Sequence, residues 1–551
     1  MPTSEEELRR RLRRIHGRGY KAYKEIRGSY RIGDLELHVD HVQGDPFAAP
    51  SRLRLRVPTD LGRYAADRDT REAAEDALLR HFVGGLHSRR RGSGRSGVIE
   101  VYRPGPEVVE RSALRLRRDG AVEIRLRVGL PARGRRILGA EASALLTEDL
   151  PEAARAVQIE ASALAAHVAS VVAQRALRRA LPGAGLVAFL ADGSVLPRAS
   201  GVEQGPLPDA VPLRAPDGLA VELPGPDGPI RGLGIPEGVT LIIGGGFHGK
   251  STLLHALQRG HLDHVPGDGR ERVVCVPDAV KVRAEDGRRI EGVDISAYLD
   301  GLPGGRDTHC FRTDDASGST SQAANLVEAI EGGATALLID EDTSATNLLV
   351  SDARMRALIG GDEPITPLVS RVRALASRGV STVMVVGGVG DYLSVADHVI
   401  AMHHYVPRDA TAAAKAVAGP APTDAGPLAS VAGRVPQPEG LRAGRIRARD
   451  TRAVQYDKGL EIDLTAVDQV LDASHAYTLG QALRFLHEAL VDGRRPLSTL
   501  LDALDAILDD EGVEALSPYD DAPVGDLVRP RRHEVAAALN RLRRLRVVAA
   551  T

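Results

Sequence analysis

Nine residues constrain this chain more than any others: Gly244, Gly245, Gly246, Phe247, His248, Gly249, Lys250, Ser251 and Thr252. They fit the pattern G-x-x-x-x-G-K-S/T. Its glycines let successive backbone N–H groups wrap a phosphate, and the helix that follows adds favourable partial charge. An apolar run, 239–243, enters the loop, and a helical pattern beginning Leu253-Leu254 leaves it. That order of strand, loop and helix predicts that Lys250 reaches the β- and γ-phosphates of a nucleotide and that Ser251 offers its hydroxyl to Mg²⁺. The alternative for the loop alone is a Gly-rich turn opening a helix.

A loop of this kind needs a sheet to sit on. Strand-like runs at 273–276, 336–339 and 380–386 alternate with helical stretches, which predicts a mainly parallel α/β core with its active residues at the carboxyl ends of the strands. The strand ending at Asp340-Glu341 supplies two carboxylates 90 residues after Lys250. Asp340 is expected near Mg²⁺ and Glu341 at the attacking water. Upstream, Ser317-Gly318-Ser319 opens a helix. These residues read either as a good cap or as a second anion-binding N-terminus, offered to the γ-phosphate of a nucleotide held by another subunit.

Outside this core the chain divides further. Residues 1–182 read as a basic α+β domain, with a helix at 5–16, alternating strands at 35–39, 53–57 and 121–128, and a flexible basic arm at 89–97. Residues 183–410 hold the nucleotide core, 411–440 an Ala/Pro/Gly-rich linker, and 441–551 a mainly helical segment. Residues 1–140 carry 31 Lys/Arg against 19 Asp/Glu, the remainder 41 against 55. A basic front end points to an anionic partner, most simply nucleic acid, or to a solvated Arg-rich surface. Candidate contacts are Lys21, Lys24, Arg89, Arg90, Arg91 and Arg95. Tyr20 and Tyr23 read as base-stacking rings or as core.

Two cysteines, Cys275 and Cys310, exclude a disulfide scaffold and a Cys metal cluster. They fit a reducing cytoplasm. No apolar run reaches membrane length, and 161–177 is broken by His167, Gln174 and Arg175. The expectation is a soluble cytoplasmic protein with no membrane span.

The phosphate loop, Ser317-Gly318-x-x-x-Gln322, Leu337-Leu338-Ile339-Asp340-Glu341 and Thr343-Ser344-Ala345-Thr346-Asn347 together resemble the ABC ATPase set, with 23 residues from the signature serine to the Walker B aspartate. More narrowly the chain resembles the family described as predicted ATPases of the ABC class, which have no fused transmembrane part. The likeness extends to residues 20–24, 40–46, 266–271, 283–288, 391–392 and 530–532. It implies an ABC-type P-loop NTPase core, with ATP and Mg²⁺ bound by residues 244–252, Ser317, Gly318, Ser319 and Asp340. It implies Glu341, Lys250 and Asp340 as catalytic residues, a composite homodimer site, and RNA rather than DNA as partner, since some members are RNA-associated. The alternatives are a P-loop phosphotransferase acting on a small molecule and the detached motor of a transporter. Several positions depart from general ABC ATPases. Asp342 follows Glu341, and Gly387-Gly388 stands where a switch histidine is expected, with His403 or His404 as substitutes. No Q-loop glutamine is evident, with Glu285 or Asp294 as replacements, and no aromatic precedes the loop to stack on adenine.

Overall fold

The computed structural model describes residues 2–550 apart from 156, 202, 351–362, 422–424, 427, 429–432 and 520–521. They form two compact units, Met1–Val172 with Glu511–Arg529, and Ala173–Asp510 with Pro530–Thr551. The expected segment 441–551 is therefore shared between units, and the boundary expected at 182 falls at 172. The expected linker holds a helix, Thr411–Val417, and a strand, Arg434–Pro436. Its residues 422–424, 427 and 429–432 lie outside the described residues.

In the first unit, Ser4 caps helix α1 (Glu5–Ile15), which buries Leu8, Leu12 and Ile15 at helical spacing. Strands β1 (Gly28–Ile32), β2 (Leu35–His41), β3 (Ser51–Val57) and β4 (Val122–Val128) pair antiparallel in that order. The period-2 pattern registers Leu37 on Leu55 and Leu53 on Leu126, so the apolar face is continuous. Helix α2 (Arg68–Gly84) follows, capped by Asp67. The alternation at 121–128 predicts an outward face for Arg125, but the structure buries it. Its guanidinium donates to Glu123 (2.9 Å) and to the Ser112 carbonyl (3.0 Å), and pairs with Glu514 (2.5 Å). Glu514, far away in sequence, covers this face, and alternation alone cannot reveal a cover supplied from so far along the chain. Within the unit so delimited, 33 Lys/Arg stand against 29 Asp/Glu. The excess read from 1–140 is thus largely offset by the acidic residues of 141–172 and 511–529.

The second unit opens with an antiparallel sheet of β5 (Leu186–Ala191), β6 (Ala220–Gly225), β7 (Gly228–Pro236) and β9 (Val273–Cys275), in the order β6-β7-β5-β9. The run at 273–276 therefore belongs here, not to the parallel core. The core sheet has the order β10 (Ala279–Val282), β11 (Ala336–Asp340), β12 (Ser381–Val385), β8 (Val239–Ile243), β13 (His398–His403), β14 (Val406–Asp409). Its first five strands are parallel and β14 is antiparallel to β13. Both faces of this sheet are covered. Ile242, Leu338 and Val383 pack on the side of helix α3 (Lys250–Arg259), whereas Leu241, Leu337, Ile339 and Met384 pack on the side of helix α4 (Gly318–Glu331). Each such buried side chain stabilises the sheet by about 1.5–3 kcal/mol. The C-terminal part supplies α5 (Ala473–Phe485), α6 (Leu497–Glu511) and α7 (Arg532–Asn540), together with a small antiparallel sheet at 447–463 that the helical pattern does not announce. No helix among the described residues is long and apolar enough to cross a membrane.

Candidate functional site

The carboxyl ends of β8, β11 and β12 bring the candidate residues together. After β8 the chain turns through positions that only glycine tolerates. Gly244 has φ +147°, and a Cβ there would lie 2.5 Å from the Met402 carbonyl oxygen. At Gly249, φ +98°, a Cβ would meet the Tyr405 ring at 2.7 Å. Gly249 caps α3, so the helix N-terminus opens into the loop. Lys250 Nζ donates to the carbonyl oxygens of Gly244 (2.8 Å) and Gly245 (3.0 Å), which folds the ammonium back over the loop. Gly245 and Gly246 are exposed, and Ser251 and Thr252 are half-buried in the first turn of α3. Phe247 is 99% exposed at φ +60°.

Asp340 ends β11, one strand removed from the phosphate loop by β12, and is buried. One of its oxygens accepts the Asp342 N–H at 3.2 Å. The other lies 4.0 Å from the ammonium of Lys281, a residue that sequence reasoning missed. A lysine inside the apolar run Ala279–Val282 was the available signal. Burial pulls the Lys281 pKa below its ordinary value, and the Asp340 charge opposes that. Ser251 and Asp340 offer a hydroxyl and a carboxylate, hard oxygen donors that suit Mg²⁺, and Asp340 keeps lone pairs beyond its one N–H contact.

Glu341 is oriented by backbone. Its Oε2 accepts the N–H groups of Gly387 (2.5 Å) and Gly388 (3.1 Å), just beyond β12. The two glycines occupy the place where a switch histidine was expected. The substitutes proposed for it lie elsewhere: His403 ends β13 and His404 opens the turn after it, on the other side of β8 from β11. There the His404 ring stacks on His248 (4.6 Å between centroids, 28° between planes), and His403 lies edge-on to both. Partial desolvation, then the charges of Arg408 and the neighbouring imidazoles, hold the His403 pKa below its ordinary value. The proposed Q-loop replacements are committed elsewhere. Glu285 pairs with Arg541 (2.7 Å), and Asp294 accepts from Ser296 (2.6 Å) and faces His309 (3.5 Å).

At the tip of α4, Ser317 is the N-cap and is exposed, with its hydroxyl 3.0 Å from that of Thr320. Gly318 is half-exposed. Ser319 is nearly buried and donates to Asn347 (2.7 Å), so it secures the tip rather than facing solvent. Gln322, fully buried, donates to Ser344 Oγ (2.9 Å) and accepts the Ala345 N–H (2.7 Å). Ser344 in turn donates to the Asp340 carbonyl (2.8 Å). One hydrogen-bonded chain thus ties α4 to the end of β11. Tyr392, beyond β12, holds the short helix Thr346–Leu349 through its hydroxyl, which donates to the Leu349 carbonyl (2.9 Å). The motif at 266–271 is structural: Asp268 accepts from Arg198 (2.7 Å) and His264 (2.8 Å).

The nucleic-acid candidates separate. Lys21, Lys24, Arg89 and Arg90 are exposed. Arg91 is bound between Glu141 and Asp149, each at 2.7 Å, and Arg95 faces Glu100 at 3.3 Å. The arm at 89–97 is not free. Its backbone bonds to Pro46, Gly129 and Ala132, and Gly92 and Gly97 sit where a Cβ would lie within 2.2 Å of a carbonyl oxygen. Gly and Ser there encode close packing, not flexibility. Tyr20 and Tyr23 are core residues whose hydroxyls donate to the Leu130 and Pro131 carbonyls.

A family model described as an ABC ATPase P-loop domain matches residues 160–432, and one described as the N-terminal part of ATPases of the ABC class matches 5–160. A model described as the MRB1590 C-terminal domain matches 445–548. Over 192 residues the chain is 34% identical to the uncharacterized protein MJ1628 of Methanocaldococcus jannaschii, a match that spans 33% of this chain and 43% of that protein. Among solved structures, the ADP conformation of MJ1267, an ATP-binding cassette of an ABC transporter, is 15% identical. It covers 32% of this chain and 82% of its own length, at a TM-score of 0.22. The phosphate loop, the five parallel strands around it and the two adjoining family matches, which together span 5–432, lead to one assignment: the chain belongs to the ATPases of the ABC class.

Proposed function

We propose that the chain binds and hydrolyses ATP at a site completed by a second copy of itself. Residues 244–252 cradle the phosphates, and Lys250 leaves its two loop carbonyls for the β- and γ-phosphates. When bound, Mg²⁺ supplies charge neutralisation at the transferring phosphoryl, and Ser251 and Asp340 would hold it. Glu341 accepts a proton from the attacking water, and Gly387 and Gly388 keep its carboxylate in line.

The observation that carries the composite site is the contrast within α4. Ser319 and Gln322 are buried and spent on fixing the helix, whereas Ser317 and Gly318 are left open at its tip. Such a tip suits the γ-phosphate of a nucleotide held by the partner, with Ser344–Asn347 crossing between subunits. One phosphate loop per chain makes the assembly a homodimer. Hydrolysis removes contacts made by both subunits, so the dimer loosens.

The coupled output is binding of RNA rather than DNA. Its support is the exposure of Lys21, Lys24, Arg89 and Arg90 and the RNA association of some family members. The free thiols Cys275 and Cys310 fit a cytoplasmic setting.

Ser317→Arg tests this reading. Turnover lost with ATP binding retained supports the composite site. Unchanged turnover favours a phosphotransferase working as a single chain. ATPase rate with and without RNA, with Lys250→Ala as the blank, tests the coupling.

A further inference from the structure

We propose that the turn His404-Tyr405, with His248 beneath it, is the stacking surface for the nucleobase. The proposal rests on the ATP reading above and deepens it. The stretch before the phosphate loop offers no exposed aromatic to stack on a base, since Phe189, in β5, is fully buried. The chain is poor in aromatics, with 6 Phe, 11 Tyr and no Trp. Yet Phe247 and Tyr405 are both among its exposed large apolar side chains, and both belong to the phosphate loop or the turn that touches it.

The turn is seated on the loop. The Tyr405 N–H donates to the His248 carbonyl at 3.0 Å. The Tyr405 ring occupies the space that a side chain at 249 would need, and His404 stacks on His248. His403 pairs with Val406 across β13 and β14, which leaves His404 and Tyr405 as a two-residue hairpin turn at φ +50° and +67°. Two positive φ values define the turn type that Asn-Gly fills without strain. A histidine and a tyrosine held there are strained, and strain of this kind is kept where the side chains serve a purpose. The purpose this geometry allows is a flat π surface beside the phosphate loop. Stacking is tolerant of base identity, because every base has a π face. The site would therefore select a nucleotide over a bare polyphosphate more strongly than adenine over guanine.

The double variant His404→Asn, Tyr405→Gly removes both rings and installs the residues the turn prefers, so the hairpin is kept. Binding of ATP and of inorganic tripolyphosphate, each with Mg²⁺, is measured by titration calorimetry on the full chain. The expected result is that the wild type binds ATP more tightly than tripolyphosphate. The variant should lose roughly tenfold or more in ATP affinity and keep its tripolyphosphate affinity. Unchanged ATP affinity overturns the proposal. So does a parallel loss for both ligands, which would place the imidazoles on the phosphates. A wild type that binds both ligands equally overturns the proposal and leaves the phosphate site standing. A wild type that binds neither overturns the ATP reading along with it.

Discussion

The Glu341 carboxylate accepts the Gly387 N–H at 2.5 Å, with the Gly388 N–H at 3.1 Å beside it. A backbone pair thus stands beside the candidate general base where general ABC ATPases place a histidine. A Cβ at Gly387 or Gly388 would come no nearer to Glu341 than 3.8 and 3.5 Å, ordinary contact distances. Gly387→Ala and Gly388→Ala should therefore keep ATP turnover within about threefold of wild type, since both N–H groups survive. Steady-state kinetics of the two variants decides this. A loss of a hundredfold in either would show that the absence of a side chain matters more than the N–H groups.

Gln322 bridges α4 to the strand that carries Asp340 and Glu341, through Ser344 and the Ala345 N–H. Gln322→Ala leaves that half-buried N–H without its partner, at a cost of about 1 kcal/mol or more. It also frees the signature tip from the carboxylates. Turnover should fall by roughly ten- to a hundredfold, with nucleotide affinity changed far less. Comparing kcat with the binding constant in the variant separates the two effects.

The arginine cluster at 89–91 is divided between surface and scaffold. Arg89→Glu with Arg90→Glu alters exposed positions and should leave the melting temperature within a degree or two, while weakening RNA binding in gel shifts and flattening its salt dependence. Arg91→Glu breaks pairs with Glu141 and Asp149 and sets like charges together. It should lower the melting temperature by several degrees, since about 1 kcal/mol moves a domain of this size by roughly 2–4 °C. RNA affinity that ignores the first pair of changes would remove the assigned surface.

Acid stability of the first unit turns on Glu123. Burial alone would raise its pKa, but the Arg125 and Arg117 charges outweigh burial and bring it to about 2. A depressed carboxylate stabilises the fold fully above its unfolded pKa of about 4.5. That contribution is lost as pH falls from there towards 2. The shift corresponds to something on the order of 3 kcal/mol at neutral pH. Glu123→Gln should lower stability at pH 7 and flatten the acid limb between pH 5 and 2, as read from denaturant midpoints across that range. An acid limb identical to wild type would show that other carboxylates dominate.

The places of the phosphate loop, Asp340, Glu341 and the Ser317 tip in the fold were legible because each combines a local signal with a fixed spacing. A strand, a glycine loop and a helix must follow one another in sequence, so the sequence can announce them. What stayed hidden depends on contacts from afar. Lys281 reaches Asp340 from the neighbouring strand β10. Gly387 and Gly388 act through backbone, which carries no residue signature. Arg125 reads as exposed because its cover, Glu514, lies nearly four hundred residues later. The Gly/Ser-rich run at 89–97 misleads for a different reason: glycine marks close approach as readily as flexibility, and composition alone does not tell the two apart.

The mass in solution of the Glu341→Gln variant with saturating ATP and Mg²⁺ tests the central claim most directly, read by light scattering on a size-exclusion column. Blocking hydrolysis should hold the assembly closed, so the account predicts a dimer of about twice the 58.6 kDa chain, returning to a monomer when Ser317→Arg is added. A Glu341→Gln variant that binds ATP yet stays at the mass of one chain would contradict it.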